Sequence, residues 1–419
     1  MKMQAIDNVS YKEVGVESQK SLLLFVFWPF LALITALRDF RTKESKIVIY
    51  FFLILFGATY YLGNPDFDSF HLYEKFDMTS RQSFSEWRVE NIDNIIDTAP
   101  DIVQPILLFV LSRIDSSPAF LFGTFAAIFG GVFLISINIL ASKYSLESNI
   151  NAKIYFTFFL FINPIFNING FRFWTAAWIF FIGAYFVVVN RDKKHLILAL
   201  SSILFHASFV VPNIILVAYV TFGNKDKIYN ILFSLSLAIP EIFRSQLSVV
   251  EKYMLPRMVE KYFTYTNPLF IERTYELQEN LKWFMKVQRY GLYYFAIFML
   301  FYLKYIHKKN QKISINNNLF SFSILFISII NFMSWVPVMG RFRTLFYLFA
   351  FTFMISVLSE YKSKKIHPTT SLGLVPMSFA VIIALRVGSE MTNIWLFFPL
   401  AVSFIAAPTS LYEVLISLF

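Results

Sequence analysis

Apolar residues run together along this chain in long blocks separated by short polar stretches. The blocks fall at about 21–37, 46–62, 117–141, 154–168, 173–189, 195–222, 228–243, 289–306, 318–337, 344–359, 371–385 and 391–406, with a shorter one at 102–112 and an apolar tail at 410–419. A helix that crosses a bilayer needs about 20 apolar residues, and about 17 at the least. Several blocks sit at or below that limit. The pattern predicts an all-α polytopic membrane protein, residues 1–419 forming a single membrane domain of about 11–14 embedded helices, some short, broken or re-entrant. Two larger external segments are expected, 63–116 with short helices and the loop 244–288.

Basic residues between the blocks set the orientation, because Lys and Arg collect in cytoplasmic loops. Six clusters carry the signal: Arg38, Arg41, Lys43 and Lys46; Lys143 and Lys153; Arg191, Lys193 and Lys194; Lys225 and Lys227; Lys304, Lys308, Lys309 and Lys312; and Lys362, Lys364 and Lys365. All six face the cytoplasm together only if block 195–222 enters and leaves by the same side. At about 42 Å as a helix it is too short for two full spans. With His206, Ser208, Pro212 and Asn213 near its middle, it is expected to be a hairpin of two half-helices. The N-terminus then lies outside. The first external segment is acidic, with Asp66, Asp68, Glu74, Asp77, Glu86, Glu90, Asp93 and Asp97. The second is mixed and holds Arg244, Lys252, Arg257, Lys261, Arg273, Lys282 and Lys286, a run of basic residues against the positive-inside trend. Either it meets a ligand or it is a long loop that crosses regardless of charge.

Composition agrees. Of 419 residues, 57% are hydrophobic and only 15% charged, and 52 are Phe. A soluble domain would carry about a quarter charged residues. The net charge of +10 is accounted for by cytoplasmic loops, so no nucleic-acid partner is expected. There is no Cys, which removes disulfides, thiol nucleophiles and cysteine metal sites. The first apolar block lacks a small-residue cleavage site before its basic flank and reads as a retained helix. With only 13 Gly, close-packed glycine seams between helices are not expected to be a theme.

Candidate chemistry lies at predicted external helix ends. Arg172, Arg341, Arg343 and Arg386 stand there, and a guanidinium grips phosphate oxygens in two-pronged fashion without losing its charge. Arg341 and Arg343, one residue apart, could hold a pyrophosphate from two directions. The plain alternative is snorkelling to the headgroup layer, which suits Arg386 best because Glu390 follows four residues on. His206, at the expected helix break, is either a structural residue or a proton acceptor or phosphate donor. Asp66 and Asp68 follow a Gly-Pro helix stop and are either solvated turn carboxylates or a general base at a cavity mouth. Trp87, Trp174 and Trp335 suit interfacial anchoring or sugar stacking. The sequence holds no Gly-rich phosphate loop, no His-Glu-x-x-His and no nucleophile elbow, and its five His form no metal cluster. No metal and no cofactor are expected.

Four blocks in order resemble the EpsG-type branch of the Wzy-like polysaccharide polymerases, which serve O-antigen, capsule and exopolysaccharide biosynthesis. Gly63, Asp66, Phe67, Phe70 and Tyr73 approximate that family's external Gly-x-Asp-aromatic-x-x-Tyr motif, stretched by one residue at Gly63 and with Phe70 in place of the usual Tyr. An aromatic-rich Pro segment, Phe161–Phe166, precedes Gly170-Phe171-Arg172. A Lys-rich turn at Lys193 and Lys194 leads to Phe205-His206-Ala207-Ser208. A late Arg-rich helix start carries Arg341 and Arg343. The resemblance implies a glycosyltransferase of the bacterial cytoplasmic (inner) membrane with its active site on the external, periplasmic side. It would join undecaprenyl-diphosphate-linked oligosaccharide repeat units by metal-independent transfer. Its partners would be lipid-linked oligosaccharide, membrane lipid and a chain-length regulator protein. Arg172, Arg341 and Arg343 would bind and stabilise the leaving diphosphate, and Asp66 or His206 would accept the attacking hydroxyl's proton. Competing readings are a flippase or transporter of lipid-linked sugars and a membrane acyltransferase that modifies glycans.

Because the chain lacks Cys, a cysteine scan reports its orientation directly. A Cys at position 270 should react with an impermeant thiol reagent applied from the external face. Labelling of that position only from the cytoplasmic face would overturn the orientation.

Overall fold

The computed structural model describes residues 21–38, 40–63, 65, 67–93, 101–238, 263, 267–309, 317–334, 336–400 and 408–417. Those residues form an all-α structure with no named strand among them; two isolated β-bridges, Asn149 with Ser363 and Asn393 with Ser410, tie loops together. In chain order the helices are α1 (Pro29–Arg38), α2 (Lys43–Ala58), α3 (Asp68–Arg81), α4 (Phe84–Arg88), α5 (Val103–Ser112), α6 (Pro118–Lys143), α7 (Ile150–Leu160), α8 (Phe171–Asn190), α9 (Leu196–Phe205), α10 (Val210–Phe222), α11 (Asp226–Ala238), α12 (Pro268–Glu279), α13 (Trp283–Lys286), α14 (Leu292–Lys309), α15 (Asn317–Phe332), α16 (Arg343–Leu358), α17 (Pro368–Met391) and α18 (Leu411–Ser417).

Four helical stretches among the described residues are long and apolar enough to cross a membrane: Pro118–Lys143, Ile150–Asn190, Met339–Leu358 and Pro368–Met391. Helices α8, α15 and α16 form the centre, with Phe180, Phe181, Phe326 and Phe349 fully buried among them. The outside is apolar as well. Phe27, Ile135, Ile197, Ile214, Leu372 and Ile382 all lie exposed. Apolar residues spread this widely over the exterior suit a lipid environment better than water.

The lysine-rich connections come together at one end of the bundle. Arg41 pairs with Glu147 at 3.1 Å, Lys46 donates to Asn138 at 2.6 Å, and Lys143 donates to Asn190 at 3.0 Å. Asn318 donates to the Val188 carbonyl, and Lys304 pairs with Asp226 at 3.0 Å. Asn149 and Asn151 reach the carbonyls of Leu358 and Lys365. Helices α8, α14 and α16 all finish at this end, so their starts, where Arg172, Arg289 and Arg343 lie, are at the other.

Two expectations change. Glycine is sparse, yet three of the 13 line one seam. Gly57 on α2 meets the Phe122 carbonyl and Ala126, Gly123 faces Ala58, and Gly130 faces Leu53. Any Cβ at Gly57 would overlap α6, so small residues set how closely this pair approaches. The block 391–406 is not one helix: it opens as a short 3-10 turn at Ile394–Phe397 after Asn393 caps it, and Phe398 is extended. The preceding block runs on instead as α17 through Arg386 and Glu390, whose 2.9 Å ion pair lets the helix carry two charges.

Replacing Gly57 by Val should force α2 and α6 apart and cost about 1–3 kcal/mol, read as a lower Tm in detergent. Gly131→Ala is the control, since only Tyr50 lies within ordinary contact of it. Equal Tm values for the two variants would sink the seam.

Candidate functional site

The site is built around an interrupted helix. Helix α9 ends at Phe205, and His206 adopts an extended conformation with φ −153° and ψ 116°. One 3-10 turn, Ala207–Phe209, follows before α10 begins at Val210. The Tyr219 hydroxyl, near the end of α10, donates to the Asn318 carbonyl at 3.2 Å, and Asn318 itself binds Val188 near the end of α8. Since α9 starts just after α8 ends, both legs have their outer ends on the lysine-rich side. The break lies at the far tip.

A break inside an apolar bundle frees backbone groups that need partners. Three side chains supply them. The Ala207 N–H donates to Asp101 Oδ1. The Ser208 N–H donates to His206 Nδ1 at 3.3 Å, and the Ser208 hydroxyl lies 2.7 Å from the same nitrogen. Asn213 Nδ2 donates to the Phe209 carbonyl at 2.9 Å and to Ser202 Oγ at 3.1 Å. Because Nδ1 accepts, the neutral His206 ring carries its proton on Nε2.

Asp101 has a second partner. Its Oδ2 accepts from Arg172 Nη1 at 3.0 Å. The Asp101 side chain is 10% exposed and that of Arg172 42%, so the pair has one buried and one open member. Arg172 sits in the first turn of α8, just after the 3-10 segment Ile165–Gly170 that follows Pro164. Asn163 Nδ2 holds the Trp174 carbonyl at 3.0 Å, and Asn169 Oδ1 accepts the Ser69 N–H at 2.8 Å. The second contact docks the start of α3, and with it Asp68, against the Arg172 segment.

Aromatic rings join this region to the third arginine segment. Phe173 lies 5.5 Å from Phe342 and 5.2 Å from Phe209; Phe209 lies 5.6 Å from Phe342; and Phe173 meets the His206 ring edge-on at 5.4 Å. Phe342 stands between Arg341 and Arg343, so the segments of Arg172, His206 and Arg341–Arg343 share one aromatic cluster. The two neighbouring arginines part company beyond it. Arg341 is exposed. Arg343 stacks on Tyr293, 5.0 Å from the ring centre, and lines a cavity of about 200 Å³ together with Arg289.

Other expected residues fall elsewhere. Asp66, Trp335, Asp97, Arg244, Lys252, Arg257, Lys261 and Lys312 lie outside the described residues. Arg386 pairs with Glu390 and with the Tyr412 hydroxyl at 3.2 Å. Trp87 is buried, stacked on Phe109 at 4.6 Å, which leaves it unavailable to sugar or to the membrane interface. In the same segment Glu86 accepts from the backbone and hydroxyl of Ser83, and these bonds hold its carboxyl below the usual value. Sequence reasoning missed Asp101 and Arg289. Asp101 precedes an apolar run and looks like an ordinary helix start; its partners lie 71 and 106 residues away. Arg289 opens an apolar block at the end expected to be external, the same position that drew attention to Arg172.

Among the described residues no group of three or more His, Asp or Glu side chains is placed to hold a metal ion. The chain matches no protein-family model, no curated protein and no solved structure.

Asp101→Ala should destabilise the protein more than Asp101→Asn. Asn keeps an oxygen for the Ala207 N–H, whereas Ala orphans it at a cost of about 1–3 kcal/mol. The charge pairing with half-open Arg172 adds only about 1 kcal/mol. Thermal unfolding of both variants, with Arg172→Gln to close a double-mutant cycle, reads the two contributions. Equal loss in the two Asp101 variants would mean the Ala207 contact carries no weight.

Proposed function

We propose that the protein is a polytopic glycosyltransferase of the bacterial cytoplasmic membrane that polymerises undecaprenyl-diphosphate-linked oligosaccharide repeat units on the outer face. The observation that carries this reading is the meeting of Arg172, His206 and the Arg341–Arg343 segment around Phe173, Phe209 and Phe342. These segments are far apart in sequence, and they gather cations and a hydrogen-bond donor at the end of the bundle away from the lysines.

In the proposed reaction a hydroxyl oxygen of the incoming unit attacks the anomeric carbon of the growing glycan. The bond from that carbon to the diphosphate oxygen breaks, undecaprenyl diphosphate leaves, and the hydroxyl proton passes to a base or to water. Negative charge grows on the departing diphosphate. Arg172 and Arg341 would meet that charge, with His206 in the same aromatic cluster. Fixed donors aimed at developing charge are among the strongest catalytic devices, each worth about 10²–10³ in rate. Asp66 is the proposed proton acceptor, and the exposed Phe side chains would face lipid. The outward orientation rests on the lysine clusters and the positive-inside trend.

Arg172→Ala and Arg341→Ala should abolish long-chain polymer while single repeat units persist on lipid, with membrane levels of each variant checked by immunoblot. Normal long-chain polymer in both variants would sink the assignment. Incubating the purified protein with a defined lipid-linked repeat unit should yield dimers and longer products.

A further inference from the structure

The cavity beside Arg343 adjoins the Arg172 region through the Arg341–Arg343 segment, but Arg172, Asp101, His206 and Arg341 do not line it. Arg289 and Arg343 both line it, and Tyr347 lies within electrostatic reach of both. No acidic side chain is in the lining among the described residues. Arg289 and Arg343 are both half-buried, and two like charges sharing one cavity without a carboxylate repel each other unless an anion joins them. Arg343 Nε is buried and has no hydrogen-bond partner. Around the cations stand the neutral polar side chains of Thr274, Gln278 and Ser334, Thr274 giving its own proton to the Phe270 carbonyl. Thr274 and Gln278 share one face of α12, while Glu272, Glu276 and Glu279 on the same helix are exposed. Arg289 is carried by a π-helical turn, Val287–Gly291, a distortion of the kind that recurs at functional sites. At the roughly 30 Å³ that one water occupies, about 200 Å³ admits a group of several heavy atoms.

A second feature identifies what the anion is attached to. Tyr290 lies in the cavity wall and is partly exposed. From it Tyr294 and Phe298 follow at four-residue steps along α14, with 61% and 46% exposure. This aromatic stripe leaves the cavity along the outside of the bundle and suits an isoprenoid tail.

We propose that the Arg289–Arg343 cavity binds the diphosphate of a polyprenyl-linked saccharide, at a site separate from the one where the glycosidic bond forms. It deepens the polymerase reading and rests on it. Two lipid diphosphates take part in such a reaction, and only one is cleaved. Both diphosphates are charged from the start, and cleavage adds further negative charge only to the departing one. That added charge falls to the Arg172 region, while the Arg289–Arg343 pair, with no carboxylate in its cavity among the described residues, suits the diphosphate that stays intact.

The test uses the full-length protein in lipid nanodiscs, with inorganic pyrophosphate and farnesyl diphosphate as probes. Both should bind and compete with each other. Arg289→Gln and Arg343→Gln should each weaken both at least tenfold, while Arg172→Gln retains the Arg289-dependent binding. Tyr294→Ala combined with Phe298→Ala should weaken farnesyl diphosphate but not pyrophosphate. Binding that is the same in Arg289→Gln as in the unsubstituted protein, or whose Arg289-dependent part Arg172→Gln removes equally, overturns the site. Pyrophosphate that farnesyl diphosphate fails to displace overturns the lipid-linked ligand. If Arg343→Gln does not fold, Arg289→Gln with Ser334→Ala decides. Arg289-dependent binding without polymer formation from a defined repeat unit would sink the polymerase reading and leave the site standing. Polymer formation with no such binding would do the reverse.

Discussion

A helix that stops partway through an apolar bundle must find partners for the amides and carbonyls it releases. Everything at the candidate site follows from how that is met after Phe205. The released Ala207 N–H turns to the carboxylate of Asp101, just ahead of α5, and that carboxylate needs a cation, which Arg172 provides. The Ser208 N–H turns to His206, which fixes where the ring carries its proton. One local backbone requirement thus engages Asp101 and His206, and through Asp101 it reaches Arg172. Removing Asp101 releases both the Ala207 N–H and Arg172, so stability and chemistry are coupled at that residue.

The two cationic regions differ in electrostatic character. Arg172 is held by Asp101 on one side and open on the other. It is positioned firmly, at the expense of part of its field. Arg289 and Arg343 have no carboxylate in their shared cavity among the described residues, and Arg343 leans on the electron-rich face of Tyr293. An aromatic face steadies a guanidinium without neutralising it. The first arrangement favours precision, the second attraction. Phe342, between Arg341 and Arg343, packs into the cluster at the first region while its neighbour Arg343 serves the second, so a single turn of chain spans both.

Much of the helical layout was legible from the apolar blocks and the basic connections, because lipid-compatible helices and positive loops leave strong one-dimensional signals. The interruption at His206 was legible too, from block length and from polar residues at its middle. Asp101 was not. A carboxylate just before an apolar run reads as a helix start, and nothing local announces partners more than seventy residues on. The glycine seam between α2 and α6 escaped for a related reason. A low overall count says nothing about three glycines that tertiary packing brings into line. The separation of Arg341 from Arg343 was equally invisible, since a 3-10 turn passing into an α-helix at Arg343 turns neighbouring side chains to different sides.

The two legs of the interrupted helix have one further consequence. Helix α9 has 10 residues and α10 has 13, about 15 and 20 Å of rise. In the proposed membrane placement they fill only part of a hydrocarbon layer about 30 Å thick. In that placement the outer part of the layer beyond their tip would hold the Arg172–Asp101 pair. A transmembrane voltage falls mainly across the insulating part, worth about 2.3 kcal/mol per charge per 100 mV over the full drop. Here most of that drop would be confined to the depth of the two legs. An anionic headgroup could then reach Arg172 from outside while crossing little of the field, and the energised state of the cell would weigh lightly on its binding.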